Sequence, residues 1–568
     1  MFGAVLRASR WLFIALLVIP VLAGLAGVLL PALSYFPAIG EHRFSLKAIT
    51  ALMHVDGITR MAGLSLLTGL VATFLATASA LSVLAAFYHT AMLRWVQKVL
   101  SPILVIPHAA AAIALGFILS PGGWPARLIS PALSGWDAPP TLRLIHDEAG
   151  LAVIAALTIK AMPFILLMVL SILAQPRLAD RLQKQMYVAR TMGYAPATAF
   201  LTVVWPAIYP LIRLPVIAVL AFATANVEIP LILGPGSPPT LAVAVLQWFN
   251  NVDISMRLQA SAAACLQIGV TGMAIAIWLI IERVLASLFN RVKYTGSRDF
   301  AVVLLTGTAY FILGVFSILT LCMMISLIVS SFATFWPFPD VLPEGATLVH
   351  WQTGLVAMSE PLFNTLLIAI PVSLLAVSLS LLVLEHEQMV SSSAGVNATI
   401  KKDTILFLPL LIPGVAFLFG LTWFTQYIGA GVWVPVLISH FVYVLPYVFL
   451  SVAVAYRRFD ERYTYVSYGL GASPSKIFWK VKLPQLFAPV MVAFALGVAI
   501  SFSQYLATLL PGAGTIATVT TESVAISAGA SRRLSAVYTL VQMVMPLIGF
   551  ALAWWLPLRF FNPAARLH

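Results

Sequence analysis

The chain has 568 residues, 61% of them apolar and 9% charged, with mean hydropathy +1.00. Soluble domains run near ~45–50% apolar and ~25% charged, so a soluble globule, a disordered chain and a disulfide scaffold are excluded. The 32 Lys and Arg against 19 Asp and Glu give a net charge of +13. In so apolar a chain this excess reads as loop charge that sets topology, not as a nucleic-acid surface.

The apolar runs are long and continuous. A spanning barrel would instead alternate apolar and polar residues in short segments. The expected fold is therefore an all-α integral membrane protein. About twelve spans are expected, each needing about 20 apolar residues. The first six lie near 11–30, 61–87, 99–119, 150–174, 207–233 and 258–288. The second six lie near 300–330, 362–384, 404–424, 432–455, 486–511 and 533–556. Arg7 and Arg10 precede the first run, which is longer than the roughly 7–15 residues of a signal-peptide core. It reads as a retained helix with its N-terminus in the cytoplasm. With that orientation, 22 Lys and Arg fall in cytoplasmic segments and 8 on the opposite side, leaving Lys160 and Arg213 within spans. Both termini are then cytoplasmic. Cys265 and Cys322 lie in apolar stretches and read as small core residues.

An internal repeat appears at an offset of 278 residues. Tyr187, Val188, Gly193, Pro196, Phe200, Val203 and Pro206 recur as Tyr465, Val466, Gly471, Pro474, Phe478, Val481 and Pro484. The register continues through Leu231/Leu509, Gly234/Gly512 and Thr240/Thr518. Many transporters are built from such repeats, with the substrate path where the copies meet. The expected organisation is a first half, 1–299 (core 61–288), and a second half, 300–568 (core 362–556). In each repeated window Gly193 or Gly471 reads as a helix stop. Pro196 or Pro474 reads as the first residue of a short second helix, with Ser473 as an N-cap. That helix is expected to end near Pro206 or Pro484.

At these residues the sequence resembles the permease subunits of binding-protein-dependent ABC importers. Their cytoplasmic signature is Glu-Ala-Ala, three residues, Gly, nine residues, Ile-x-Leu-Pro. Tyr187-Val188-Ala189, Gly193 and Val203-Val204-Trp205-Pro206 keep that spacing, as do Tyr465-Val466-Ser467, Gly471 and Val481-Lys482-Leu483-Pro484. The acidic residue is missing in both copies, and Trp205 replaces the Leu in the first. The two-copy chain looks like the fused type I permeases of the thiamine and ferric-iron importer group. The stretch Pro31 to Ala38 suggests its YnjC-like members. The resemblance implies that 177–206 and 457–484 are ATPase-coupling loops. It implies two ATP-binding subunits inside the cell, a solute-binding protein outside, and residence in a bacterial inner membrane. No G-x-x-x-x-G-K-[ST] loop occurs, so ATP is expected on the partner subunits. No cofactor, metal site or enzymatic activity is expected in this chain. A secondary transporter of 6+6 topology is the competing architecture; its Gly-Asp-Arg-type loop after the second span is absent from Tyr88 to Arg94.

Ionisable groups in spans are costly and point to function. Glu228 is read as the only acid within a span. Its neighbour Asn226 aligns with Gln504, beside Tyr505, and in related permeases this span lines the path. Asn226, Glu228, Gln504, Tyr505 and Lys160 are therefore the pathway candidates. Lys160 could equally pair with an acid or snorkel outward. Arg213 is expected to snorkel, and His440 to be a hydrogen-bonded core residue. Asp340, Glu344 and Glu360 in the outward segment 331–361, which has no Lys or Arg, join Glu228 in favouring a cationic solute.

Overall fold

The computed structural model describes residues 2–88, 90–141, 143–173, 175–294, 298–299, 302–391, 408–529 and 531–561. Lys401, Lys402 and Arg566, counted above among the cytoplasmic charges, lie outside the described residues. Among the described residues the chain is helical, with only two isolated β-bridges, Phe36–Glu41 and Ala333–Ala346. In hydrocarbon a helix satisfies its own backbone polar groups, which is why these apolar runs take no other form.

The helices that matter here are α1 (Phe2–Ala32), α2 (Ile58–Phe87), α3 (Ala91–Val105), α4 (His108–Leu119) and α5 (Leu151–Leu173). They continue as α6 (Pro176–Thr191), α7 (Trp205–Thr224), α8 (Glu228–Leu233), α9 (Leu241–Phe249) and α10 (Met256–Tyr294). The second set comprises α11 (Val302–Phe332), α12 (Ser359–Ser391), α13 (Gly414–Tyr427), α14 (Trp433–Tyr456) and α15 (Arg462–Gly469). It closes with α16 (Phe487–Ser503), α17 (Leu506–Leu509), α18 (Val519–Ser527) and α19 (Arg532–Phe561).

Among the described residues ten helices are long and apolar enough to cross a membrane, and a bent pair makes an eleventh. The span expected at 404–424 is represented by α13, a 14-residue helix; residues 392–407 before it lie outside the described residues. The span expected at 99–119 is interrupted at Ile106-Pro107, where Pro cannot continue α3. α4 runs on through Trp124–Ile129 instead.

The repeat is reproduced residue for residue. Pro196–Ala199 and Pro474–Ile477 are single helical turns. Each is followed by a widened π-turn, Phe200–Val204 or Phe478–Lys482. α9 and α18 also begin and end 278 residues apart. One expectation fails in the first copy. The short helix does not end near Pro206 but runs on as one span, Pro196–Leu233. Proline lacks an N–H and crowds the carbonyl four residues back; the widened turn just before Pro206 accommodates both defects. In the second copy the helix does stop at Gln485, and the chain bends by 76° into α16.

The first helix of each set packs across the molecule. Phe13 and Leu17 of α1 join Ile368, Val372 and Phe449 in one core. Ala309, Leu313 and Phe316 of α11 join Ala76, Val83 and Ile165 in another. α1 meets α13 through glycines. A Cβ on Gly420 would stand 1.7 Å from the Gly24 carbonyl oxygen, and one on Gly27 would stand 2.1 Å from that of Gly420. Small residues let membrane helices approach this closely, where dispersion replaces the hydrophobic effect as the driving force. Gly420→Ala is therefore expected to destabilise the protein by about 1–3 kcal/mol. Gly307→Ala, where a Cβ meets nothing within 4 Å, should be neutral or mildly stabilising. Thermal unfolding of the purified variants in detergent checks the contrast.

Candidate functional site

Two regions carry the predicted residues: the paired turns at the basic end of the bundle, and a polar cluster inside it.

At the basic end, α6 and α15 stop in the same way. Gly193 has φ 87° and Gly471 φ 76°, a left-handed conformation that a side chain would strain. The Gly193 and Tyr194 N–H groups donate to Arg190 and Ala189 carbonyls at 3.0 and 3.1 Å. Gly471 and Ala472 donate to Tyr468 and Ser467 at 2.9 and 3.0 Å. This is the Schellman stop, formed twice. Pro196 and Pro474 then open the next turn at its first position. Ser473 caps the second copy by accepting from the Lys476 N–H at 3.4 Å; Ala195 has no side-chain oxygen to do so in the first.

The two ends also present matched apolar surface. Tyr187, Val188 and Met192 are more than half exposed, as are their counterparts Tyr465, Val466 and Leu470. Ala189 is buried, and the Ser467 hydroxyl is turned back onto the Tyr463 carbonyl at 2.7 Å. Exposed apolar patches of this kind mark protein contacts. Pro206 and Pro484 sit behind the patches, where each π-turn rejoins the α-helix.

Behind the second turn lies an ion pair that sequence reasoning missed. Lys482 donates to Glu385 at 2.6 Å and to Gln388 at 2.8 Å, with both charged side chains at most 4% exposed. The Tyr456 hydroxyl donates to the same Glu385 carboxylate. Lys482 looked like ordinary loop charge, and Glu385 stood just past an estimated span end. Val204, fully buried, holds the equivalent place in the first copy. There Tyr209 donates to Glu282 at 2.6 Å and Arg213 pairs with it at 2.8 Å. So Arg213 is held by a carboxylate rather than simply snorkelling, and Glu228 is not the only acid on a spanning helix.

Inside the bundle, three helix breaks come together. α3 ends at Ile106-Pro107, α7 at Ala225–Val227 and α16 at Gln504. Lys160 is 6% exposed and turned inward. Its ammonium donates to the Ile106 and Leu104 carbonyls at 2.5 and 3.4 Å, which α3 leaves open at its C-terminus. The Asn226 side-chain oxygen accepts from the Ile229 N–H at 2.9 Å and fixes the start of α8. Glu228 Oε1 accepts from the Tyr505 N–H at 3.4 Å, joining the two breaks that the repeat aligns. Lys160 is within electrostatic reach of both Glu228 and His108. Among the described residues two buried polar atoms here have no hydrogen-bond partner, Glu228 Oε2 and His108 Nδ1. The structure thus gathers Lys160, Asn226, Glu228 and Tyr505, with Gln504 adjoining, and adds His108. Only its place just after the Pro107 break could have marked His108 in the sequence. His440 bonds to Ser501 and Thr508 at 2.8 and 3.0 Å, as a core histidine does.

Residues 362–561, which hold the second turn and its ion pair, match the family model described as the binding-protein-dependent transport system inner membrane component. The inner membrane ABC transporter permease protein YnjC of Escherichia coli (strain K12) is 28% identical over 453 residues, 79% of this chain and 78% of that one. The chain is thus similar to this permease family, by the family model over its second half and by the relative over most of its length. A putative 2-aminoethylphosphonate transport system permease protein, PhnV of Salmonella typhimurium, is 28% identical over 188 residues, 32% of this chain and 69% of that one. The apolar helices and these likenesses support a multi-pass protein of the inner membrane, and the second turn lies within the matched residues.

Removing one partner of a buried ion pair strands the other charge, at a cost of about 3–5 kcal/mol. Lys482→Met is expected to lose stability on that scale. Adding Glu385→Gln to it should restore most of the loss. Denaturant unfolding of the two purified variants checks the order.

Proposed function

We propose that this permease forms the translocation path of an ATP-driven importer, coupled to two separate ATP-binding subunits and fed by an extracytoplasmic solute-binding protein. The matched apolar patches on the Gly193 and Gly471 turns carry the reading. Two equivalent exposed surfaces at the basic end suit two copies of one partner. ATP binding would draw those partners together and move both turns, and the spans would follow. The permease itself contributes no hydrolysis in this scheme. The orientation that puts the turns in the cytoplasm rests on the charge asymmetry of the loops.

The path runs past the three converging breaks. Discontinuous helices in transporters place substrate sites at their ends, and irregular backbone in a membrane is tolerated where it lines a cavity. Glu228 Oε2, buried and unpartnered, suits a solute bearing positive charge. A thiamine-like or ferric-iron-like cation fits that description. So does the amine of the aminophosphonate in PhnV's name.

Two variants test the reading. The Gly193→Val/Gly471→Val pair forces β-branched residues into left-handed turns. Uptake should fall at least tenfold, and pull-down of the ATPase should weaken, while the protein still reaches the membrane. Unchanged uptake and pull-down would remove the coupling role. Glu228→Gln keeps shape and deletes charge. It should lower uptake of a cationic solute tenfold or more with the ATPase complex intact; wild-type uptake, or a purely anionic cognate solute, would end the cation reading.

A further inference from the structure

At the end of the bundle opposite the Gly193 and Gly471 turns, a cavity of about 250 Å³ opens between α4, α11 and the start of α19. Phe117, Arg127, Ser326, Ser330, Arg532 and Arg533 are among its walls. Among the described residues no Asp or Glu lines it. Arg127 is 8% exposed and braced by backbone: Nε donates to Gly122 at 2.9 Å, and the two terminal nitrogens donate to Pro337, Asp340 and Trp336 carbonyls. The Asp340 carboxylate is exposed and lies within electrostatic reach of Arg127 but not at ion-pair distance. Arg532 donates to the Phe117 carbonyl at 3.2 Å and to the Ser120 hydroxyl at 3.0 Å. Every one of these acceptors is neutral, so the hydrogen bonds hold the guanidiniums in place without cancelling their charge.

This changes the picture of the outward face. The loop 331–361 has no base of its own, yet its carbonyls enclose Arg127 from another segment. Three guanidiniums facing one cavity repel each other. Ser326 and Ser330, one helical turn apart on α11, are 3% and 6% exposed. Both serines stand on the cavity wall, where a hydroxyl can donate. N–H and O–H donors with positive charge form the complement of an oxyanion.

We infer that this outer cavity is a binding site for a small oxyanion of the phosphate, phosphonate or carboxylate class, held by Arg532 and Arg533 with Ser326 and Ser330 and backed by Arg127. The site joins α4 to α11 and α19, so its occupancy stabilises one arrangement of the outer helices. The oxyanion is either a free solute or a phospholipid headgroup, and the chemistry is common to both.

The test uses the purified full-length chain in nanodiscs of phosphatidylcholine, titrated with inorganic phosphate at constant ionic strength. Wild type should gain several degrees in Tm with millimolar phosphate, and chloride should give no gain. Arg532→Gln/Arg533→Gln should weaken the apparent phosphate affinity at least tenfold. Ser326→Ala/Ser330→Ala, which keeps the charge, should weaken it several-fold. In anionic phosphatidylglycerol nanodiscs, wild type already as stable as its phosphate-saturated form would identify a headgroup as the oxyanion. A phosphate-dependent gain persisting there would identify a free solute. Absence of any phosphate-dependent gain in phosphatidylcholine, or an equal gain in wild type and the double arginine variant, would overturn the site. Should the arginine pair fail to fold, Arg533→Gln alone and the serine pair carry the same comparison.

Discussion

Wherever a helix breaks inside a membrane, its open carbonyls and amides must find partners, because hydrocarbon offers none. The central part of this protein is organised by that requirement. Lys160 closes the end of α3, Asn226 secures the start of α8, and Glu228 takes the amide of Tyr505 across to the second copy. Each breaks the rule that charge and amide groups avoid the bilayer, and each does so at a break. The same side chains that seal the backbone leave Glu228 Oε2 and His108 Nδ1 unsatisfied beside them. A polar interior therefore comes from the geometry of interrupted helices before any solute is considered.

The two copies solve one mechanical problem with different chemistry. Both turns are Schellman stops followed by a first-position proline and a π-turn. Behind the first, an apolar Val204 fills the space. Behind the second, Lys482, Glu385 and Tyr456 tie α12 and α14 to the turn. A buried pair is no more stable than good apolar packing, but it is directional. The first turn has its own neighbour instead: the Ala195 N–H donates to the Arg298 carbonyl at 3.3 Å, and the Arg298 side chain lies against Gly193. Arg298, in the basic connection between the copies, thus reaches the first turn.

Much of this was legible in the sequence, and what was legible was local. Gly193, Pro196, Gly471 and Pro474 act through backbone conformation, so an offset of 278 was enough to place them. Long apolar runs gave the spans because burial in lipid needs length. What stayed hidden depends on distant residues meeting. Glu385 and Lys482 lie far apart in sequence and each looked like solvent-facing charge. Pro206 looked like a helix end because its defect is absorbed by a π-turn that no residue pattern announces. The breaks at Ile106 and Gln504 fall inside apolar runs, where hydropathy is blind to them.

The crossing of α1 has a consequence for how the protein is made. Its glycine face is shaped for Phe417 and Gly420, yet α1 leaves the ribosome well before α13. Until synthesis has passed those residues, Gly24 and Gly27 stand in lipid with their close partner absent. Contacts of such sequence separation form late, because the closure entropy comes first. The protein therefore completes this contact only when its second copy arrives.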